Sequence, residues 1–324
     1  MGVYTDVTQD ELKRFIATFA IGDLVTFTAI PQGVENSNFL LVTTTGKFVV
    51  TIYERRVDPN DLPFFLGLMH FLSNNGFHCP RPIANTKGEY LQTLARKPAA
   101  IVSYLKGDSP RVITRAHCKE LGAAMAKMHL IASRYPLSRK NNLALTAWSK
   151  VFSELRTQSE ELKPGLSDWI QDELLSLDGS WPTNLPNGII HGDLFPDNVF
   201  FLPNHHSAFI DFYFACNDAY AFDIAISLNA WCFDNNQQFN REHSQFLFDG
   251  YQSVRALSHL ELVAMPLLAR GAAMRFLITR LYDWFNVRKN TPTQRKNPLE
   301  FVPLIKFHQT VVDTTAYGVG EENE

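Results

Sequence analysis

Residues 191–211 read HGDLFPDNVFFLPNHHSAFID, and three side chains in this stretch govern how the rest of the chain is understood. Asp193 stands two residues after His191 and five before Asn198, and Asp211 closes the stretch. Ile189 and Ile190 read as the end of a strand. Residues 199–202 and 208–212 are apolar runs separated by the turn-rich 203–207, a linker of hairpin length. With Leu202 facing Ala208 across that hairpin, Asn198 falls near Phe212, so Asn198 and Asp211 start at the same open end. Such oxygen donors suit Mg²⁺, which prefers one or two carboxylates together with substrate phosphates. Asp193, on the preceding loop, is left to accept a hydroxyl proton.

Each fragment alone has a plainer reading. HGD is an ordinary turn and IDF an ordinary buried strand end; only their order and spacing together point to phosphoryl chemistry. His191 with His205 and His206 suggests zinc, but the latter two sit on the hairpin turn and lack a third well-spaced ligand.

A chain of 324 residues suits two lobes or one large domain, and 45% hydrophobic residues is ample for a core. A formal charge of -3 offers no broad basic field, which argues against general nucleic-acid binding. Cys79, Cys118, Cys216 and Cys232 are far apart and form no C-x-x-C pair, so reduced thiols are expected. No apolar run of membrane-spanning length is evident, and a soluble, cytoplasmic protein with no membrane partner is expected. Oligomeric state is not legible.

Thr8 with Glu11 three residues on forms a capping-box pattern that opens a helix with Leu12, Phe15, Ile16 and Phe19 on one face. Strands are expected over 23–30, 38–43 and 47–53, a buried helix over 61–73 stopped by Asn74-Asn75-Gly76, and a further strand over 99–105. From Thr114 the chain turns mostly helical. The expected organisation is α+β, with a small β-sheet lobe over 1–103 and a larger helical lobe, carrying the catalytic hairpin, over 104–324. Between the first strands, residues 30–39 (IPQGVENSNF) hold one glycine and several small polar residues, with Gly33 and Ser37 expected to face phosphate oxygens. The extended stretch 102–105 offers the backbone of Ser103 and Leu105 to an adenine edge.

The spacing H-x-D-x-x-x-x-N is that of the protein-kinase catalytic loop. At HGDLFPDN and IDFYFACND the chain resembles the aminoglycoside phosphotransferase and choline kinase group, whose fold is bilobal and protein-kinase-like. Within it, GVENSNF (33–39), YERRVDPNDLPFFLGLMHFL (53–72), LNAWCF (228–233) and ITRLYDW (278–284) are similar to the homoserine kinases of this kinase-like type, over about residues 8–310. The resemblance implies ATP and Mg²⁺ as cofactors, L-homoserine as substrate, Asp193 as base, and Asn198 and Asp211 as metal ligands. The chain departs from the kinase pattern at Thr51, near where most kinases carry a phosphate-binding Lys, and the helix over 61–75 has no Glu to pair with one. Arg55, Arg56 and Lys47 are the alternative cations.

A homoserine pocket calls for a fork of donors for the carboxylate and an acid for the ammonium. Arg275 and Arg280 lie on an otherwise apolar helix, and Arg275 is nominated, with Asp223, Asp234 and Glu35 as acids near the motif segments. Tyr213, Phe214, Trp231, Tyr282 and Trp284 leave open a cation-π cage for choline or ethanolamine. Loss of the Lys and Glu leaves open a kinase fold that only binds.

Overall fold

The computed structural model describes residues 5–30, 36–54, 57–203, 206–286 and 296–320. Gly33, Glu35, Arg55 and Arg56 lie outside them. The chain divides into two compact units, one comprising residues up to Gly107 together with Ala208–Tyr213, the other Asp108–Ser207 with most of the remainder.

The first unit is a sheet with helices. Helix α1 (Gln9–Ile16) begins at the predicted capping box: Thr8 accepts from the Glu11 N–H and the Glu11 carboxylate accepts from the Thr8 N–H. Strands β1 (Leu24–Ile30), β2 (Ser37–Thr43) and β3 (Lys47–Ile52) follow within a residue or so of the expected bounds, then helix α2 (Leu62–Asn74). Strands β4 (Pro82–Ile83), β5 (Leu91–Leu94) and β6 (Lys97–Ser103) complete an antiparallel sheet of order β1-β2-β3-β6-β4, with β5 also on β6. Alternation sets the buried face, because successive strand side chains point to opposite sides. Phe39 and Leu41 of β2, with Val50, Ile52, Ala99 and Ile101, close over Leu12, Phe15 and Ile16 of α1. The β5–β6 hairpin, with Ala95 and Arg96 at φ 50° and 63°, is invisible to the strand pattern because neither turn residue is glycine or asparagine.

The second unit is mostly helical: α3 (Arg115–Ala132), α4 (Leu145–Leu162) and α5 (Leu166–Asp178) precede the catalytic segment. Strand β7 (Asn187–Ile190) leads into it, and β8 (Val199–Phe201) forms the hairpin with β9 (Ser207–Phe209), the strand at which the chain passes into the first unit's Ala208–Tyr213 segment. The hairpin is tighter than expected. Leu202 donates its N–H to His206 O at 2.9 Å rather than facing Ala208, and the strand ends at Phe209 instead of Phe212. The reason is Asp211, whose φ of 65° breaks extended backbone and starts a 3₁₀ turn over Phe212–Phe214. Strand β10 (Cys216–Ala219) then pairs with β7, Cys216 opposite Ile190. Helices α6 (Tyr220–Trp231), α7 (Arg241–Gln252), α8 (His259–Asn286) and α9 (Phe301–Thr310) close the unit.

Contrary to the composition-based expectation, α8 is long and apolar enough to cross a bilayer, at mean hydropathy 1.4 over its best window. That window is 67% buried within the fold, and Arg270, Arg275 and Arg280 interrupt the helix, so it is a core helix. The four cysteines are free and buried.

Helices α3 and α7 meet through two glycines. A Cβ on Gly122 would lie 2.1 Å from Leu247 O, and one on Gly250 would lie 1.9 Å from Lys119 O. Both obstacles are backbone, which yields only by separating the helices. Gly122→Ala is expected to destabilise the protein by about 3 kcal/mol, the upper end for overpacked cores, read as a lowered midpoint in urea. A midpoint within error of wild type would show that the helices separate freely.

Candidate active site

The loop 191–198 is held at nearly every peptide. Gly192 adopts φ 77°, a left-handed conformation, and a Cβ there would meet Phe214 O at 2.9 Å. From α6, Asp223 accepts the N–H of His191 at 2.7 Å and of Gly192 at 2.8 Å. Trp231 Nε1 donates to Leu194 O at 2.8 Å. From α8, Arg275 Nη1 donates to Gly192 O at 2.7 Å. Within the loop, Phe195 N–H donates to Asp193 O, and Asn198 N–H to Phe195 O, each at 2.9 Å.

This scaffold presents Asp193 and Asn198 together. Asn198 Nδ2 donates to Asp193 Oδ2 at 2.9 Å and to Asp193 O at 2.8 Å. With the amide nitrogen so used, Asn198 Oδ1 is the face left to accept a cation, a hard oxygen donor of the kind Mg²⁺ takes. Asp193 thus meets a donor from Asn198 and the field of the buried Arg275 guanidinium. Burial pulls the Arg275 pKa down and the Asp193 charge pushes it back up.

Two residues nominated for substrate binding prove to be part of the scaffold. Asp223 has no exposed surface; besides the two backbone donors, its Oδ2 lies 3.1 Å from His129 Nε2. Burial raises its pKa, but the hydrogen bond and charge of His129 and the field and backbone N–H of His191 outweigh that, and the group lies below the ordinary carboxylate value. Arg275 is 3% exposed and flanked by the rings of Phe276 and Phe214, with centroids at 4.8 and 5.7 Å. Neither presents charge to a solute. The sequence signal was available for Asp223: an acid midway along YAFDIAISL has no solvent face to occupy.

In the first unit, Ser37 opens β2. It is fully buried, its hydroxyl accepting from the Thr5 N–H at 3.1 Å and donating to Glu54 at 2.8 Å. Glu54 also takes Lys97 and the Thr5 hydroxyl, so a Lys–Glu pair does exist here, made by β6 and the second residue beyond β3. Burial raises the Glu54 pKa, but Lys97, Thr5 and Ser37 bring it below the ordinary value. Ser103 is likewise engaged: its N–H donates to Arg81 O and its hydroxyl accepts from Arg81 N–H. Sheet pairing ends there, and the chain continues irregularly through Leu105. Lys47 lies over the Tyr104 ring at 5.7 Å.

Thr51, at the place of the absent Lys, donates to Asn38 Oδ1 at 2.7 Å and is also hydrogen-bonded to Tyr213. The Tyr213 and Tyr53 hydroxyls are 3.0 Å apart, and their rings meet edge to face at 5.2 Å. Burial raises both phenol pKa values, and the Asp211 charge adds to this. Thr51, Tyr213 and Tyr53 thus form a chain of hydroxyls within the field of Asp211. Tyr213 is thereby held among first-unit side chains, and Trp231 is fully buried with its indole N–H on Leu194 O, so the aromatic cage loses two members to packing.

An antiparallel sheet unit and a helical unit that carries H-x-D-x-x-x-x-N together define a kinase-like phosphotransferase. Residues 26–257 match the phosphotransferase enzyme family, and the chain belongs to it. Among curated relatives, the homoserine kinase of Paramagnetospirillum magneticum is 50% identical, covering 98% of this chain and 100% of the relative. That of Rhizobium meliloti is 47% identical, covering 99% of both. Solved structures share the fold at low identity. An amicoumacin kinase in complex with AMP-PNP and Ca²⁺ has a TM-score of 0.67 at 15% identity, covering 93% of this chain and 92% of that one. Choline kinase from Cryptosporidium parvum has 0.65 at 14%, covering 88% of each.

Proposed function

We infer that the chain transfers the γ-phosphate of ATP to the side-chain hydroxyl of L-homoserine, giving O-phospho-L-homoserine in threonine biosynthesis. The observation that carries this is near-half identity to homoserine kinases across the full length of both chains. The choline kinase of Cryptosporidium parvum shares the fold at only 14% identity, and Tyr213 and Trp231 of the aromatic cage are taken up by packing.

In this reading Asp193 takes the proton of the homoserine hydroxyl as the oxygen attacks the γ-phosphorus, and the Asn198 amide fixes the carboxylate for that transfer. Asn198, through Oδ1, and Asp211 are the proposed Mg²⁺ ligands. Mg²⁺, when bound, neutralises charge between the β- and γ-phosphates. The backbone at Leu105 is proposed to meet the adenine, and Gly33 to cover the phosphates. With α8 packed inside the helical unit, the reading is of a soluble cytoplasmic enzyme.

The test is ADP release from Mg-ATP with homoserine, choline, ethanolamine, 5-methylthioribose and kanamycin in turn. Turnover is expected on homoserine, with the other four at background. Turnover on another member and none on homoserine would overturn the assignment.

A further inference from the structure

Arg280 lies five residues beyond Arg275 on α8, in a different setting. Its guanidinium carbon is 4.5 Å from the centroid of the Phe301 ring and 5.7 Å from that of Phe195, the residue two beyond Asp193. Those rings belong to one cluster, since Phe276 meets Phe195 at 4.7 Å and stacks on Phe301 at 5.8 Å and 22°. The side chain is 16% exposed, and Nη1 donates to Glu300 Oε2 at 3.0 Å. Among the described residues that is the hydrogen bond Arg280 makes, leaving Nε and Nη2 of its fork uncommitted. Glu300 is 49% exposed. The charges of Asp197 and Asp193 also act on Arg280, and its contact with Phe195 ties it to the catalytic loop.

We propose that Arg280 and Glu300 clamp the α-carboxylate and α-ammonium of the amino acid whose side-chain hydroxyl Asp193 deprotonates. This rests on the homoserine reading and deepens it. A zwitterion carries opposite charges on one carbon, and its complement is a donor fork beside a carboxylate, as Arg280 and Glu300 are at 3.0 Å. The planar fork binds a carboxylate bidentately, and the Phe195 and Phe301 faces hold its plane. Arg275 cannot serve, being buried and bonded to Gly192 O. Phe195, which forms one face of the clamp, lies on the catalytic loop two residues from the base Asp193.

The experiment compares homoserine with 3-amino-1-propanol, which lacks the carboxylate, and 4-hydroxybutyrate, which lacks the ammonium. Arg280→Gln is expected to raise the KM for homoserine by about 100-fold with kcat little changed, the scale of a lost charge-assisted pair. It should narrow the preference for homoserine over 3-amino-1-propanol by the same factor. Glu300→Gln should instead narrow the preference over 4-hydroxybutyrate. Arg280→Lys, which keeps the cation but not the fork, should raise KM by about 10-fold, and it carries the test if Arg280→Gln melts early. A homoserine KM unchanged in folded Arg280→Gln or Arg280→Lys would overturn the clamp alone. Wild-type protein inactive on homoserine would overturn the reading beneath it as well.

Discussion

Asp193→Asn is expected to lower kcat for homoserine phosphorylation by at least about a thousandfold, within the span attributed to a positioned general base. The substitution keeps the shape that the loop is built around. Gly192, Phe195 and Asn198 bond the backbone of the loop rather than rely on the Asp193 carboxylate alone, and Asp223, Trp231 and Arg275 hold its other peptides. The thermal midpoint and the affinity for ATP should therefore stay near wild type, so that the defect is chemical. Measured by coupled ADP release and by equilibrium nucleotide binding, a loss of less than tenfold would mean that the hydroxyl proton leaves by another route.

Asp223→Ala is expected to destabilise the protein by about 3–5 kcal/mol, the range for breaking a buried ionic network by removing one partner. Two backbone N–H groups and His129 lose their acceptor in a site with no water access. Activity should fall as well, because the His191–Gly192 peptide is what aims Asp193. The Asp223 pKa is depressed in the folded state, the partners' pull exceeding the upward push of burial. Its contribution is thus present above the ordinary carboxylate value and lost as pH falls through the folded value. Wild-type denaturation midpoints should decline in that acid window, and Asp223→Ala should show a shallower decline. Parallel pH profiles for the two proteins would remove Asp223 from the account.

Local signals were legible where one segment decides its own structure. The Thr8–Glu11 capping box, the strands around Phe39 and Val50, and the Asn75-Gly76 stop of α2 appear within a residue or so of where their patterns put them. The loop spacing likewise brought Asp193 and Asn198 together. What failed to show was burial decided by distant partners. Glu54 meets Lys97 across 43 residues, and Asp223 meets His129 across 94. Arg275 and Arg280 look alike on α8, yet a turn and a half of helix separates a guanidinium sealed against Gly192 from one with an open fork. Ser37 reads as a phosphate ligand by composition, but the Thr5 backbone and Glu54 engage it first.

If the chain makes a phosphate ester on the homoserine side chain, with Asp193 taking the proton, the ester itself is the direct evidence. Phosphorus NMR of a reaction with Mg-ATP and L-homoserine tests it directly. A phosphomonoester resonance coupled to the terminal methylene protons of homoserine is expected, growing in step with ADP and absent with Asp193→Asn. Growth of inorganic phosphate alone, or of an acyl phosphate on the carboxylate, would contradict it.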